Sequence, residues 1–268
     1  MSENRMEGVR LNKWIADSGY CSRREADRLI EDKKVTIDGK TGSLGDRILP
    51  GMKVCVNGKP VGRQTHKVYI ALNKPAGIVC TADTREEANV IDFVGHPRRV
   101  FPIGRLDKDS EGMLLLTNDG DFANMIMHPS HHISKTYRVT VRPEVSEDQL
   151  IELSTGVTLD DGTVTMPAQV QVDDKSEGRT VLRMTIFEGK NRQIRRMCEA
   201  LGLEVARLRR VSVGPVKLGM LQPGKWRELT PTEVGAIRNA VVEANSGAKS
   251  GKKTAARKVN FNSNGGRR

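Results

Sequence analysis

An α+β architecture with a mixed, largely antiparallel sheet is expected for this 268-residue chain. Segments of strand-like alternation, such as Lys135–Val141 and Val181–Glu188, interleave with segments of helical spacing and show no regular βαβ repeat. Neither a GxGxxG following a strand nor a phosphate-binding glycine loop is present, which weakens a nucleotide-cofactor reading. The length suffices for one sizeable core plus a small appended module, here read as residues 1–62 and 63–245, with a basic tail of no regular structure at 246–268.

The first module spans Val9 to Lys59. Leu11, Trp14 and Ile15 form one apolar helical face, and Ser18-Gly19 breaks that helix. Ser22 followed by Arg23-Arg24-Glu25 reads as a capping box opening a second helix to about Glu31. On it Ala26, Leu29 and Ile30 pack inward, so Arg23, Arg24 and Arg28 project outward together. Val35-Thr36-Ile37 and Val54-Cys55-Val56 are short strands closed by Asp38-Gly39 and Asn57-Gly58 turns.

A polar connector near 62–67 leads to a strand from Val68 to Leu72 and a Pro/Gly turn at 73–77. A helix follows over Asn89 to Val94. Gly112 to Thr117 is a buried strand ending in the turn Asn118-Asp119-Gly120, and a short helix then carries Phe122, Met125 and Ile126 inward. Ser146 with Gln149 marks another capped helix. Ile194, Met197 and Leu201 give a further helical face that Gly202 terminates.

The net charge of +11 is unevenly spread. Residues 246–268 hold seven basic and no acidic residues, and 1–62 hold an excess of three, while 63–245 is nearly neutral. A near-neutral body with basic ends is the pattern of a nucleic-acid-gripping protein, although a solvated tail has the same composition. No apolar run approaches the roughly 18 residues of a membrane span, so no membrane partner is expected. Cys21, Cys55, Cys80 and Cys198 are scattered without a CxxC, and are read as reduced cysteines of a cytoplasmic protein. His128, His131 and His132 lack supporting ligand spacing and are not read as a metal site.

Two clusters carry chemistry. Gly104-Arg105-Leu106-Asp107 sets a carboxylate in a glycine-flanked loop before the apolar run Met113–Leu116, where Asp107 is a candidate nucleophile or base. An Asp beside an Arg is also the ordinary signature of a surface ion pair. Between 190 and 210, seven basic residues stand against Glu199 and Glu204, a local field suited to an RNA groove or to an exposed basic helix.

The first module, through Arg10-Leu11-Asn12-Lys13, Ser22-Arg23-Arg24-Glu25-Ala26-Asp27 and Val35-x-Ile37-x-Gly39, resembles the αL-type RNA-binding module first recognised in ribosomal protein S-four. The body, through Gly104-Arg105-Leu106-Asp107, Lys135-Thr136-Tyr137 and Asn191-Arg192-Gln193-Ile194-Arg195-Arg196-Met197, resembles the RsuA/RluB/RluE/RluF family of ribosomal RNA pseudouridine synthases. Phe101–Ser110 and Asn73-Lys74-Pro75 lean toward its RluF type, and Met127-His128-Pro129-Ser130 is more like RluB. The resemblance implies a catalytic domain with a central cleft and a bacterial, cytoplasmic, monomeric isomerase. Its substrate would be a uridine in large-subunit (23S) rRNA or an assembling particle, and it would use no cofactor or metal. It assigns the reaction to Asp107, packing on the detached uracil to Tyr137, and the guanidinium that keeps Asp107 ionised to Arg195. It assigns RNA contacts to Arg10, Lys13, Arg23, Arg24, Arg28, Arg105, Arg192 and Arg196. The competing reading is a ribosome-associated RNA-binding or assembly protein in which Asp107 is inert.

Overall fold

The computed structural model describes residues 8–62, 66–83 and 85–255, with side chains up to residue 244. The chain divides into two units. One extends to Val68 and includes His96–Phe101 and Thr117–Gly120; the other comprises Tyr69–Gly95, Pro102–Leu116 and the chain from Asp121 onward.

In the first unit, β1 (Val9–Arg10) leads into α1 (Leu11–Asp17), then α2 (Arg23–Glu31) and strands β2 (Val35–Ile37), β3 (Lys40–Thr41), β4 (Arg47–Ile48), β5 (Val54–Val56) and β6 (Lys59–Pro60). Four strands form an antiparallel sheet in the order β3-β2-β5-β6, while β1 pairs with β4. Both expected turn dipeptides lie in the left-handed region, Asp38-Gly39 at φ 48° and 82° and Asn57-Gly58 at 50° and 75°. That twist matches flanking strands, which is why Asx-Gly pairs close hairpins. Leu11 and Ile15 of α1 and Ala26 and Ile30 of α2 are buried against Val35, Val54 and Val56. Each larger side chain so buried contributes roughly 1.5–3 kcal/mol. Ser22 caps α2 by accepting a hydrogen bond from the Glu25 N–H.

From Tyr69 the chain forms β7 (Tyr69–Lys74), α3 (Val90–Val94), β8 (Phe101–Ile103), β9 (Glu111–Thr117), α4 (Gly120–Met127), a 3-10 turn at Pro129–His131 and β10 (Lys135–Arg142). It continues with α5 (Glu147–Thr155), β11 (Gln169–Ser176), β12 (Arg179–Ile186), α6 (Gln193–Ala200), β13 (Glu204–Val213), β14 (Val216–Lys217), β15 (Trp226–Glu228) and α7 (Pro231–Ala255). The sheet runs β11-β12-β10-β13-β9-β7-β15, with β14 beside β13 and β8 beside β9. The β10–β12, β10–β13, β11–β12 and β7–β15 ladders are antiparallel and β9–β13 is parallel, so the expected mixed, largely antiparallel α+β fold is the one observed. Ser146 and Gln149 form a reciprocal capping box on α5.

Three departures matter. The turn expected from residue 73 begins later, because β7 continues through Lys74, whose side chain is fully buried. The basic stretch after α6 is the long strand β13, not a surface groove throughout. Helix α7 runs through Ala255, into the segment expected to carry no regular structure; alanine and lysine are good helix formers, and they outweigh the scattered glycines there. Residues 256–268 lie outside the described residues, as does part of the connector expected at 62–67.

Candidate active site

Asp107 sits in the loop between β8 and β9, and the loop is fastened through its backbone. Gly104 turns at φ 75°. The Asp107 carbonyl accepts from Ser110 N–H at 3.1 Å, and the Lys108 carbonyl accepts from Gly77 N–H at 2.7 Å and from the Lys74 ammonium at 3.4 Å. Leu106 inserts into the core at 6% exposure. A loop fastened by the carbonyls of Asp107 and Lys108 and by a buried leucine restricts the direction of the intervening carboxylate.

β13 reaches this loop because of Gly112. At φ 101° its absent Cβ would lie 2.2 Å from the Arg210 carbonyl oxygen, so only glycine allows the parallel β9–β13 contact. The contact carries Arg210 into the interior at 5% exposure. Its Nε donates to the Met113 carbonyl at 2.6 Å, and Nη1 to the Arg105 carbonyl and the Tyr137 hydroxyl, each at 3.4 Å. The guanidinium also lies 5.9 Å from the Tyr137 ring centroid. A register shift between Thr136 and Tyr137 in the β10–β13 ladder marks the place where Tyr137 meets Arg210. Bulges beside a site re-aim a side chain.

These elements enclose a cavity of about 440 Å³ lined by Asp107, Ser110, Lys135, Tyr137, Arg192 and Arg210 among others. Asp107 and Tyr137 therefore open onto one space, as the sequence implied. Asp107 is 32% exposed through its side chain and Tyr137 9% as a residue.

Arg195 is placed differently from expectation. The guanidinium near Asp107 belongs to Arg192, at 3.5 Å, which also lies 3.6 Å from Asp109. Arg192 caps α6 in the left-handed conformation (φ 47°), and one residue further along the helix has already begun. Arg195 binds the next acidic residue instead: Nη2 is 2.9 Å from Asp109, with contacts to Ser110 Oγ at 3.5 Å and the Val205 carbonyl at 3.2 Å. Arg195 thus braces the far side of the Asp107 loop. The segment leading into α6 is held by Gln193, buried at 4%, whose amide donates to Glu188 at 2.8 Å.

The expected RNA contacts divide. Arg10, Arg23, Arg24 and Arg28 are exposed, Arg28 lying 3.6 Å from Glu25. Lys13 pairs with Asp17 at 3.0 Å. Arg105 is exposed at the cavity and makes no ion pair among the described residues, the neighbouring Asp109 being held by Arg195 and Arg192. Arg196 is turned away, paired with Asp160 and, at 2.8 Å, with Asp161. Arg192 stands ahead of the helix in the left-handed conformation, so the i,i+4 alignment that would set it on one face with Arg196 does not hold.

Lys135 and Arg210 were missed as site residues. Lys135 was visible in the Lys-Thr-Tyr run, two positions before Tyr137 and so on the same face of β10. Arg210 was counted with the surface cations, although alternation with buried Leu208 on β13 points it inward. Burial, and then repulsion from Arg210, lower the Lys135 amine to about 8. Burial likewise lowers Lys74, against the pull of neighbours that include Asp109 and Asp107. The buried Cys198 thiol is pushed up to about 12, which leaves it without thiolate chemistry at neutral pH.

Comparison with known proteins is consistent with this geometry. Residues 68–200 match the model of the RNA pseudouridylate synthase family, and residues 9–54 match that of the S4 domain. A dual-specificity RNA pseudouridine synthase RluF from Escherichia coli (strain K12) is 46% identical over 253 residues, 92% of this chain and 86% of that protein. The ribosomal large subunit pseudouridine synthase B of Bacillus subtilis (strain 168) is 43% identical over 234 residues, 85% of this chain and 95% of that one. A crystal structure of a pseudouridylate synthase superposes with a TM-score of 0.63 at 31% identity, covering 85% of this chain and 99% of the other.

Proposed function

This chain belongs to the RNA pseudouridylate synthase family, and on that premise we propose that it converts a uridine of large-subunit ribosomal RNA to pseudouridine. The observation that carries the reading is the shared cavity of Asp107 and Tyr137, with the Arg192 guanidinium 3.5 Å from the carboxylate.

Pseudouridine formation breaks the C1′–N1 bond, turns the uracil and rejoins it through C5, with no net redox change. Asp107 drives the cleavage, either by adding to C1′ or by taking the C2′ proton; both demand a carboxylate that is ionised and aimed. The Arg192 guanidinium lies 3.5 Å from that carboxylate, where it can aim it, and Arg195 holds the Asp109 end of the same loop. To Tyr137 we assign an aromatic face for the detached base and, through the hydroxyl that accepts from Arg210 at 3.4 Å, removal of the C5 proton. The target base has to leave its stack, at a cost of a few kcal/mol in a duplex and less in a loop.

Phosphate contacts offset that cost. We assign them to Arg10, Arg23, Arg24 and Arg28 of the N-terminal module (residues 1–62), to Arg105 and Arg192 at the cavity of the catalytic domain (63–245), and to the basic end of the chain. The match to the S4 domain supports RNA as the partner, and the large-subunit naming of the Bacillus relative supports which RNA. We take the enzyme to be cytoplasmic and to act as a monomer; among the described residues no helix is long and apolar enough to cross a membrane.

Asp107→Ala tests the proposal. It is expected to abolish pseudouridine formation on unmodified large-subunit rRNA, by on the order of 10⁴-fold or more. RNA affinity should stay within about twofold, since a carboxylate makes no attractive phosphate contact. Wild-type protein that forms no pseudouridine in that RNA while binding it would replace the proposal with the assembly-protein reading.

A further inference from the structure

Lys135 has a position that the catalytic roles above leave unused. It lines the cavity together with Asp107 and Tyr137. Its place on β10 is fixed on both sides, by Ile186 of β12 and Val213 of β13, and two residues along the strand the same face presents Tyr137. The side chain is half-buried, yet among the described residues its ammonium makes no hydrogen bond and no ion pair. Lys74 is engaged on two carbonyls, Arg210 on two carbonyls and a hydroxyl, and Arg192 and Arg195 on carboxylates, while the unpaired Arg105 and Lys108 are exposed to solvent and so need no partner. A desolvated cation without a partner is costly, and a second cation beside it raises the cost. Burial and Arg210 lower its amine accordingly. Such an arrangement is expected where an anion arrives during function.

Resting on the pseudouridine synthase reading, the geometry points to Lys135 as the residue that receives the negative charge of the detached uracil. When C1′–N1 breaks, the bonding electron pair stays on N1 and spreads through the ring to the carbonyl oxygens. C1′ is meanwhile taken by the Asp107 carboxylate, or the C2′ proton passes to that carboxylate. In either case the carboxylate loses its charge and the base acquires it, so one negative charge moves within the cavity. The Lys135 ammonium keeps its proton and hydrogen-bonds a carbonyl oxygen of the uracil anion, an interaction stronger after cleavage than before it. It therefore lowers the barrier and does more than tighten binding. A backbone phosphate is the weaker candidate for this cation. The exposed guanidiniums of Arg105 and Arg192 stand in the solvent-facing part of the lining, whereas Lys135 shares its depth with the buried Tyr137 ring.

The experiment uses the full chain as wild type, Lys135→Met and Lys135→Arg. The substrate is a large-subunit rRNA fragment spanning the uridine that wild type converts, made with uridine or with 5-fluorouridine at that position. Single-turnover loss of the target nucleoside, RNA affinity against salt and thermal unfolding are measured for each pair. Lys135→Met is expected to slow uridine turnover about 10²–10³-fold, the scale of one lost charge-stabilising donor. Affinity and its salt slope should be unchanged, and Lys135→Arg should recover part of the rate. On 5-fluorouridine the Met defect should shrink about tenfold, because fluorine already stabilises the departing anion. An equal defect on both substrates overturns the inference in favour of a merely structural role, whatever the unfolding midpoint. A salt slope lower by roughly one unit overturns it in favour of a phosphate contact. Full activity of Lys135→Met overturns it while leaving the synthase reading intact, whereas an inactive wild type sinks both.

Discussion

Helix α2 carries Arg23, Arg24 and Arg28; α6 with its capping residue carries Arg192, Arg195 and Arg196. By composition the two are alike, each an arginine cluster on a short amphipathic helix. On α2 the guanidiniums stand in solvent, and the nearest carboxylate contact is the 3.6 Å approach of Arg28 to Glu25. The other acidic residue of that turn, Asp27, accepts from Asn12 at 2.8 Å. On α6 each guanidinium has a carboxylate: Arg192 has Asp107 and Asp109, Arg195 has Asp109, and Arg196 has Asp160 and Asp161. Loops brought in from more than 30 residues away neutralise the second helix, whereas among the described residues the α2 guanidiniums pair with no carboxylate outside their own helix. Arginine density therefore does not measure electropositive field. The α2 cluster suits gripping a polyanion, and the α6 cluster suits shaping the loop that carries Asp107.

The largest expected effect comes from breaking the scaffold that brings those carboxylates to α6. Gly112→Ala would force a Cβ to 2.2 Å from the Arg210 carbonyl oxygen, at a backbone φ of 101° that an L side chain rarely adopts. β9 and β13 would have to part, releasing Arg210 from the Met113 and Arg105 carbonyls and the loop from its anchor. A loss of about 4 kcal/mol in stability is expected, of the size reserved for strain at a special backbone position. Thermal unfolding would then show a fall of roughly 10 °C for a unit of this size, with isomerisation lost even below the midpoint. An alanine variant that melts with wild type would mean that the strand contact does not hold the site.

The next effect separates the helices directly. Arg23→Gln with Arg24→Gln should weaken RNA binding about tenfold near 0.1 M salt, with the log–log salt slope shallower by about 1.4–1.8 for two lost phosphate contacts. The turnover rate at saturating RNA should not move, because neither residue lines the cavity. An unaltered slope would show that α2 faces solvent in the complex as well.

How far these roles could be read in advance follows the same division. On α1 and α2 the signals are local: Ser22 three residues before Glu25, apolar residues at helical spacing, and Asx-Gly turns at 38–39 and 57–58. Each is decided by a few neighbouring residues, and the structure bears out the helices and turns, while at Ser22 it shows one half of the expected capping box, the Glu25 N–H donating to the serine hydroxyl. The joint opening of Asp107 and Tyr137 into one cavity was implied by resemblance alone, since 30 residues of chain separate them. The exchange of partners around Asp107 was not legible, because which of Arg192 and Arg195 faces which carboxylate depends on where α6 starts, and a left-handed Arg192 has no sequence signature. β11 went unread because Gln169–Ser176 is polar and exposed along most of its length, so burial leaves no alternation to detect. Arg210 was misjudged for the opposite reason: arginine is almost never buried without polar partners, and its partners are backbone carbonyls that no sequence displays.

The smallest effect is the sharpest test of the comparison. Arg196 looks like an RNA contact by sequence, next to Arg195 and in a basic stretch. Its guanidinium nevertheless holds Asp161 and Asp160, and the bond from Arg196 keeps the Asp161 carboxyl well below its usual range. A cation already matched by two carboxylates releases few counterions when a phosphate approaches, and Arg196→Gln leaves those carboxylates free to repel the RNA only weakly through solvent. Arg196→Gln is therefore expected to leave the salt slope unchanged within error, where a single Arg24→Gln lowers it by close to one unit. Titrating both variants on the same rRNA fragment at several salt concentrations decides the matter. If Arg196→Gln flattens the slope as much as Arg24→Gln, the acidic partners let go when RNA binds, and both helices grip it.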